Sequence, residues 1–522
     1  MKEIFTKSKD FRQEYCATVV KVGELKDIEN SDNLKQAIID GFSVVVNKND
    51  VKEGDLMIYC KNETELNSDF LSVNNMYEIG CRELNKNFSE VEELIQNGQT
   101  DQAKMKVGYF NKHGRVKMIK LRGCPSMGVL IRLENLVKFD KHLEGLDLND
   151  YITVDENGNF IPFDFDTING KLFIKAYVPK ITNMPGAPGS RNRRDKKVKK
   201  FDRMIPGEWH FHYDTQQLNS NMWKFNPDQE VVISVKLHGT SLVLGNCLVK
   251  NPVYLDPVQR MYNKIIYKRI RKIKKALKTR EYRSSRKNLE IEMNVKEEHI
   301  IKNYKVCYDD IYSSRTVIKN GSINKNVGSG FYGTDVWGEY FKLFKGHIPH
   351  GMTIYGEIVG YLSGSQSMIQ KGYDYGCAPG TNKLMIYRIT KKDENGKTVE
   401  YNMMDVVRMV KILKGNSPEL KDKLIDPVIL YHGKLSDLYP QISTSEHWNE
   451  NVLAALKEEK KFGMEENEPL CNTKVPREGI CLRIEDDPVA ECFKLKCAKF
   501  LMKESAEIDK GSVDIEMADN YL

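Results

Sequence analysis

The sequence predicts an α+β protein in which a small β-barrel precedes a larger domain of strands and helices. Three observations support this. Short β-rich runs crowd the first part of the chain, a Pro/Gly and charge-rich stretch interrupts it near residue 190, and a strand-like run ending on a lysine opens the rest. At 522 residues there is material for two domains joined by a linker.

In chain order, Cys16–Val22, Phe42–Val46, Asp55–Tyr59 and Val116–Leu121 are short runs rich in β-branched and aromatic residues. Turn signals such as Asn47-Lys48-Asn49-Asp50 and Glu53-Gly54 separate them. Several short strands closing on themselves suggest an OB-like β-barrel that binds nucleic acid strands, or another small barrel with a structural role. A polar, helix-prone segment near 85–110 reads as an insertion between barrel strands. Pro185-Gly186-Ala187-Pro188-Gly189-Ser190 then leads into Arg191–Lys200, where Pro, Gly and like charges cannot pack a core.

Val231-Val232-Ile233-Ser234-Val235 reads as a buried strand, and Lys236-Leu237-His238-Gly239-Thr240-Ser241 follows it directly. A lysine beside a glycine turn is ordinary surface architecture when it stands alone. Segments downstream change that reading. Thr353–Val359 alternates like a strand delivering Glu357 into a pocket, and Glu478 precedes the apolar Ile480-Cys481-Leu482. Two inward carboxylates beside a triphosphate are natural anchors for magnesium, with manganese able to replace it. Lys494 and Lys496 sit two apart, so on a strand they point the same way and could face a phosphate together. Two cations there would also depress the pKa of a neighbouring lysine, which attacks phosphorus only when neutral.

The order of these segments resembles the covalent nucleotidyltransferase superfamily of RNA ligases, DNA ligases and mRNA capping enzymes. Lys236-Leu237-His238-Gly239 is similar to motif I, Arg283–Arg286 to motif Ia, Ile354–Gly360 to motif III, Met385–Ile389 to motif IIIa, Glu478–Arg483 to motif IV and Phe493–Lys496 to motif V. Histidine at 238, where DNA ligases and capping enzymes carry aspartate, resembles RNA ligases that seal nicks in duplex RNA. His212–Thr215, Gly330–Trp337 and Gly372–Cys377 are similar to segments of the same group, which has an extra domain at the N-terminus.

The resemblance implies an N-terminal OB-like β-barrel followed by a ligase-type adenylyltransferase domain of antiparallel sheets flanked by helices. The organisation it gives is 1–150 for an OB-like nucleic-acid-binding domain, 151–205 for a connecting segment, 206–505 for the adenylyltransferase domain and 506–522 for an acidic tail. It also implies roles. Lys236 would take AMP from ATP, with Lys494 and Lys496 on the phosphate. His238, Gly239, Thr240, Arg286, Glu357 and Tyr387 would bind the nucleotide, and Glu478 with Glu357 the metal. The expected substrate is RNA, as a nicked duplex or an RNA/DNA hybrid, with no membrane and no obligate protein partner. Alternatives are a GTP-dependent guanylyltransferase of the capping kind, and a non-catalytic RNA-binding protein on a ligase fold.

Lys264, Lys268, Arg269, Arg271, Lys272, Lys274, Lys275, Lys278 and Arg280 surround Ile265, Ile266, Ile270, Ile273 and Leu277 at three-to-four spacing, predicting a basic amphipathic helix. It would grip RNA phosphates, lie on an anionic membrane, or form a solvated outer face. Net charge is +7 and the eleven cysteines include no Cys-x-x-Cys pair in their late cluster, so a reducing, cytoplasmic setting without structural zinc is expected. The charged residues after Met1–Phe5 lack the apolar core of a signal peptide.

Overall fold

The structure, a computed structural model, describes residues 4–509 apart from 30, 155–159, 179–200, 279–285, 324–331, 443–447, 465 and 486–489. The basic linker, the first three residues of the motif Ia segment, Gly330, Phe331 and the tail after Asp509 lie outside the described residues. No helix among those described is long and apolar enough to cross a membrane.

The elements form an α+β fold. In the N-terminal part, β1 (Ala17–Lys21) and β2 (Leu56–Cys60) pair antiparallel at the centre of a four-stranded sheet, bounded by Val129–Ile131 and Phe163–Phe165. A three-stranded meander, Leu25–Asp27, Leu34–Ile39 and Phe42–Asn47, lies in a second sheet. Period-two alternation sends Ala17 and Val19 into one apolar cluster and Val20 and Val22 into another, so β1 has both faces covered. Helices Phe88–Gln96 and Thr100–Met105 occupy the segment read as an insertion.

The connecting segment expected at 151–205 is shorter than its assignment. Phe163–Phe165 pairs with β1, Ile174–Ala176 pairs with Thr64–Leu66, and Phe165, Phe173 and Ile174 are buried in the N-terminal cluster. Three buried aromatic or branched side chains bind residues 160–177 to this core more firmly than composition suggests.

The larger part is built on two sheets. In the first, β3 (Glu230–Lys236) lies between β8 (Ile429–Lys434) and β9 (Gly479–Ile484), and β10 (Cys492–Lys496) follows β9, all antiparallel. The second is ordered β5 (Tyr304–Ser313), β4 (Thr240–Pro252), β6 (Met352–Gly360), β7 (Asn382–Lys392) and then Thr398–Glu400. Val231, Ile233 and Val235 enter a core with α5 (Trp448–Glu458) and α6 (Ala498–Asp509), whereas Val232 joins the core of the second sheet. Burial on both faces explains why β3 reads as a continuous apolar run. The longer helices besides these are α1 (Pro257–Ala276), α2 (Arg286–Glu298), α3 (Val336–Phe344) and α4 (Met403–Asn416).

The acidic end is also corrected. Residues expected as a tail from 506 continue α6 as far as Asp509, with Ser505 and Ile508 buried. Asp509 Oδ1 accepts from Arg115 Nη1 (2.7 Å), and Arg115 also holds Glu63 through Nε (2.9 Å) and Nη2 (2.7 Å). A second bridge between the two parts runs from Asp40 and the Gly41 carbonyl to Ser220, Asn219 and Lys457.

The Arg115 side chain is 1% exposed and Asp509 is 40% exposed, which separates their expected weights. Arg115→Ala leaves Glu63 buried without its partner and should cost about 3 kcal/mol. Asp509→Ala should cost less than about 1 kcal/mol. Urea midpoints of the full chain test this, and equal losses would show that the buried pair does not anchor α6.

Candidate active site

Because strand side chains alternate, the face of β3 that sends Val232 toward the second sheet also carries Ser234 and Lys236. The register places Lys236 opposite Gly479, and Gly479 opposite Lys496. One row across three strands thus reads Lys-Gly-Lys. A Cβ at 479 would sit 2.1 Å from the Leu495 carbonyl oxygen and 2.8 Å from Lys496 Cα, so only glycine lets β9 and β10 approach here.

Glu478, the residue before that glycine, is the charge between the lysines. Its side chain is wholly buried, with Oε1 2.6 Å from Lys236 Nζ and 3.7 Å from Lys496 Nζ. Its Oε2 lies 3.9 Å from His238 Nδ1, and neither of these buried atoms has a hydrogen-bond partner among the described residues. Lys496 also reaches Glu504 of α6 (3.3 Å). The cation-rich pocket expected around Lys236 is therefore a cation–anion–cation group. Lys494 faces the same cleft, but its Nζ pairs with Glu14 of the N-terminal part at 2.5 Å.

Three residues fix the turn after Lys236. The backbone N–H of His238 donates to Tyr375 Oη (2.7 Å), the Gly239 N–H donates to Glu357 Oε1 (3.1 Å), and Gln370 Nε2 donates to the Gly239 carbonyl (2.9 Å). A Cβ on Gly239 would lie 2.2 Å from the Ile358 carbonyl oxygen, so the turn rests directly on β6. Thr240, buried, starts β4 opposite Ile358. The His238 ring is held edge-on between Tyr373 and Phe500, with centroids 5.0 and 4.9 Å away.

Tyr387 enters the cleft through a register shift. β6 pairs Tyr355 with Arg388 and Gly356 with Ile386, leaving Tyr387 as the extra residue of a bulge that re-aims its side chain. Its hydroxyl is 2.9 Å from His212 Nδ1, which is 3.3 Å from Ser241 Oγ. Burial, with Glu357 nearby, pushes that hydroxyl well above the ordinary tyrosine range. Arg315 Nη2 pairs with Asp214 at 2.5 Å, and this guanidinium holds the Asp214 carboxyl below its usual range against the opposing effect of burial.

The fold thus assembles Lys236, His238, Gly239, Thr240, Glu478, Lys494 and Lys496 with Glu357 and Tyr387 of the second sheet. Arg286 is a correction. It stands at the start of α2, with a 65% exposed side chain paired to Glu290 one turn on (3.0 Å), in a helical hairpin joined to the end of β4 remote from Lys236. Arg315, Tyr375, Gln370 and His212 have no counterpart among the site residues predicted from sequence. They are single polar residues in irregular segments, and only the fold brings them to the lysine.

For a divalent cation, the unpartnered Glu478 Oε2 is an open hard ligand, while Glu357 Oε1 is engaged by Gly239. Among the described residues no three His, Cys, Asp or Glu converge to hold an ion by themselves. The site fits an ion that brings other oxygen ligands with it, as magnesium does on phosphates.

A family model described as an OB-fold domain matches residues 16–92. No curated protein sequence matches the chain. Among solved structures the chain is similar to Naegleria gruberi RNA ligase with PPi, at 15% identity and a TM-score of 0.47, covering 95% of this chain and 100% of that one. It is also similar to a lysine-to-methionine variant of that ligase with AMP and Mn, at 14% identity and a TM-score of 0.48, covering 94% and 98%.

Gly479→Ala should lower stability by about 1–3 kcal/mol through the forced separation of β9 and β10. Gly23→Ala, whose Cβ would meet nothing within 4 Å, serves as the control. Thermal midpoints decide it, and an unchanged midpoint for Gly479→Ala would contradict the close approach.

Proposed function

We propose that this chain is an ATP-dependent RNA ligase that seals 3′-hydroxyl/5′-phosphate breaks through lysyl-AMP and RNA-adenylate intermediates. The observation that carries the reading is the 2.6 Å pair between Lys236 and a wholly buried Glu478, with Lys496 3.7 Å from the same carboxylate. A structural ion pair needs one cation. Here a second ammonium bridges that carboxylate and Glu504 (3.3 Å) in a cleft between two sheets, a cluster of charges whose cations an incoming phosphate can engage in place of carboxylate.

With a triphosphate in the cleft, Glu478 and the phosphates compete for the same cations. Lys496 then has phosphate oxygens as an alternative to Glu478. Lys236, freed from the carboxylate and with the Lys496 ammonium nearby, loses its proton more readily and its Nζ can attack the α-phosphorus as pyrophosphate leaves. Magnesium or manganese bound through Glu478 Oε2 and phosphate oxygens would supply charge neutralisation when present. The AMP then passes to a 5′-phosphate, and the 3′-hydroxyl of the other strand displaces it. Every step moves negative charge at phosphorus, so fixed cations contribute most of the rate.

The remaining roles are positional. Gln370, Tyr375 and Glu357 hold the Lys236 turn through its backbone, leaving the His238 ring as a wall of the AMP pocket. Tyr387, turned inward by the bulge and tied to His212, offers an aromatic surface for the base. Lys494 must leave Glu14 to reach a phosphate, which links the N-terminal part to the chemistry.

Incubation of the protein with α-labelled ATP or GTP and a divalent cation, followed by denaturing electrophoresis, tests the reading. Label from ATP alone is expected, reduced roughly a thousandfold or more in Lys236→Ala. Label from GTP would favour capping chemistry. No label from either, on protein shown to carry no AMP beforehand, would overturn the ligase reading.

A further inference from the structure

The strand β4 begins four residues after Lys236 and runs thirteen residues to Pro252, where the chain leaves the sheet for α1 and α2 before returning as β5. At strand rise this puts the base of the hairpin about 40 Å from the lysine. α1 opens with a capping box at Asp256 and Gln259 and a proline in its first turn, so its start is fixed by sequence. One face is committed to packing. Ile266, Ile270 and Ile273 are buried, and Asn263 is tied to Ile301 through both its side-chain amide groups (2.7 and 2.9 Å).

The opposite face is strongly cationic. α1 carries eight lysines and arginines and no acidic residue in twenty positions. Arg269 and Lys274 lean onto α2, where they pair with Glu292 and Glu297 at 2.7 and 3.0 Å, and Arg260 donates to Tyr254 Oη (2.7 Å). Lys264, Lys268, Arg271, Lys272 and Lys275 form no ion pair among the described residues. Their spacing of i, i+4, i+7, i+8 and i+11 puts all five on one stripe about 16 Å long. A nucleic acid strand offers a phosphate every 3.4 Å or so, hence about five over the same length.

We propose that this stripe is a second, remote nucleic-acid contact, which grips the phosphates of a duplex whose reactive end lies at Lys236. The nature of the duplex as an RNA substrate rests on the ligase reading; the polyanion contact does not. Steps of about 3.4 Å over about 40 Å correspond to roughly a dozen base pairs, so the contact operates on long duplex arms. An anionic bilayer is the competing partner, since Val258, Met261 and Ile265 are 71%, 61% and 63% exposed beside the stripe. These apolar residues flank only its first half. Beside Lys268, Arg271, Lys272 and Lys275 the exposed apolar residues are Tyr267 (47%) on α1 and Ile291 and Val295 (53% and 46%) on the paired α2, which do not continue the Val258–Met261–Ile265 row, whereas a helix lying in a bilayer needs one apolar face along its length.

The test compares the full chain with its Lys264→Ala/Lys268→Ala/Lys272→Ala/Lys275→Ala variant for binding to an end-labelled RNA duplex of about 24 base pairs, between about 50 and 200 mM salt. The variant should bind at least about tenfold more weakly at the lower salt, and the slope of log K against log salt should fall by about three to four. A matching set of four Lys→Arg changes should restore both. Duplexes of about eight base pairs should not distinguish the proteins. Unchanged affinity and slope would overturn the proposal, as would loss of binding to phosphatidylserine vesicles with duplex binding intact. Labelling of Lys236 from ATP separates the two readings. Intact labelling with unaltered duplex binding removes the remote contact alone, and absent labelling with stripe-dependent duplex binding removes the ligase reading alone.

Discussion

The arrangement depends on one carboxylate kept wholly out of water between two lysines. An unpaired charge in that position would be unsustainable, so Glu478 and its partners must be held together by the fold rather than by their own flexibility. The Lys-Gly-Lys row does this. β3, β9 and β10 fix the two lysines on either side of a glycine that cannot be replaced without moving a strand, and apolar residues on the reverse face bind all three strands to α5 and α6. The chemistry of the cleft and the stability of the core are therefore two faces of the same sheet.

That coupling explains what sequence could and could not reveal. Lys236, Gly239, Glu357, Glu478 and Lys496 were legible because each stands on or beside a run that reads locally as a strand, and because those runs together resemble an ordered set of motifs. Tyr387 was legible by its resemblance but not by alternation, since the bulge that turns it inward depends on pairing with β6. Arg315, Tyr375 and Gln370 were not legible. Each acts through one hydrogen bond or ion pair made across the fold, and no local spacing records such a contact. Arg286 was read from a resemblance of four residues to motif Ia, which does not record the length of β4 that separates it from Lys236 in space. The extent of the N-terminal part was misjudged where aromatic residues after 160 complete its core.

The contacts between the two parts have different characters. Arg115 and Asp509 join a buried guanidinium to the last turn of a helix whose other face packs against the sheet that carries Lys236. At Asp40, burial raises the carboxyl to about 6, and at Lys457 burial lowers the ammonium to about 8, so this bridge carries weakened charges in a dry interface. Lys494 and Glu14 form a half-buried pair, 12% and 30% exposed, that joins β10 to the N-terminal part. A half-buried pair made by one carboxylate can be exchanged for a more highly charged anion that reaches the same ammonium.

The last point gives the N-terminal part a role that its distance from the Lys236 turn would not suggest. Phosphate is a stronger and more highly charged partner for an ammonium than a single carboxylate, so a nucleotide or a 5′-phosphate in the cleft would compete with Glu14 for Lys494. The Arg115 and Lys457 contacts would hold the two parts together while that exchange took place. Binding at the cleft would then be felt at the short helical turn Gln13–Tyr15, immediately before β1, without any need for the two cores to separate. The pairing of a cleft lysine with an acid from the neighbouring part thus gives a direct physical link between the Gln13–Tyr15 turn and an anion in the cleft.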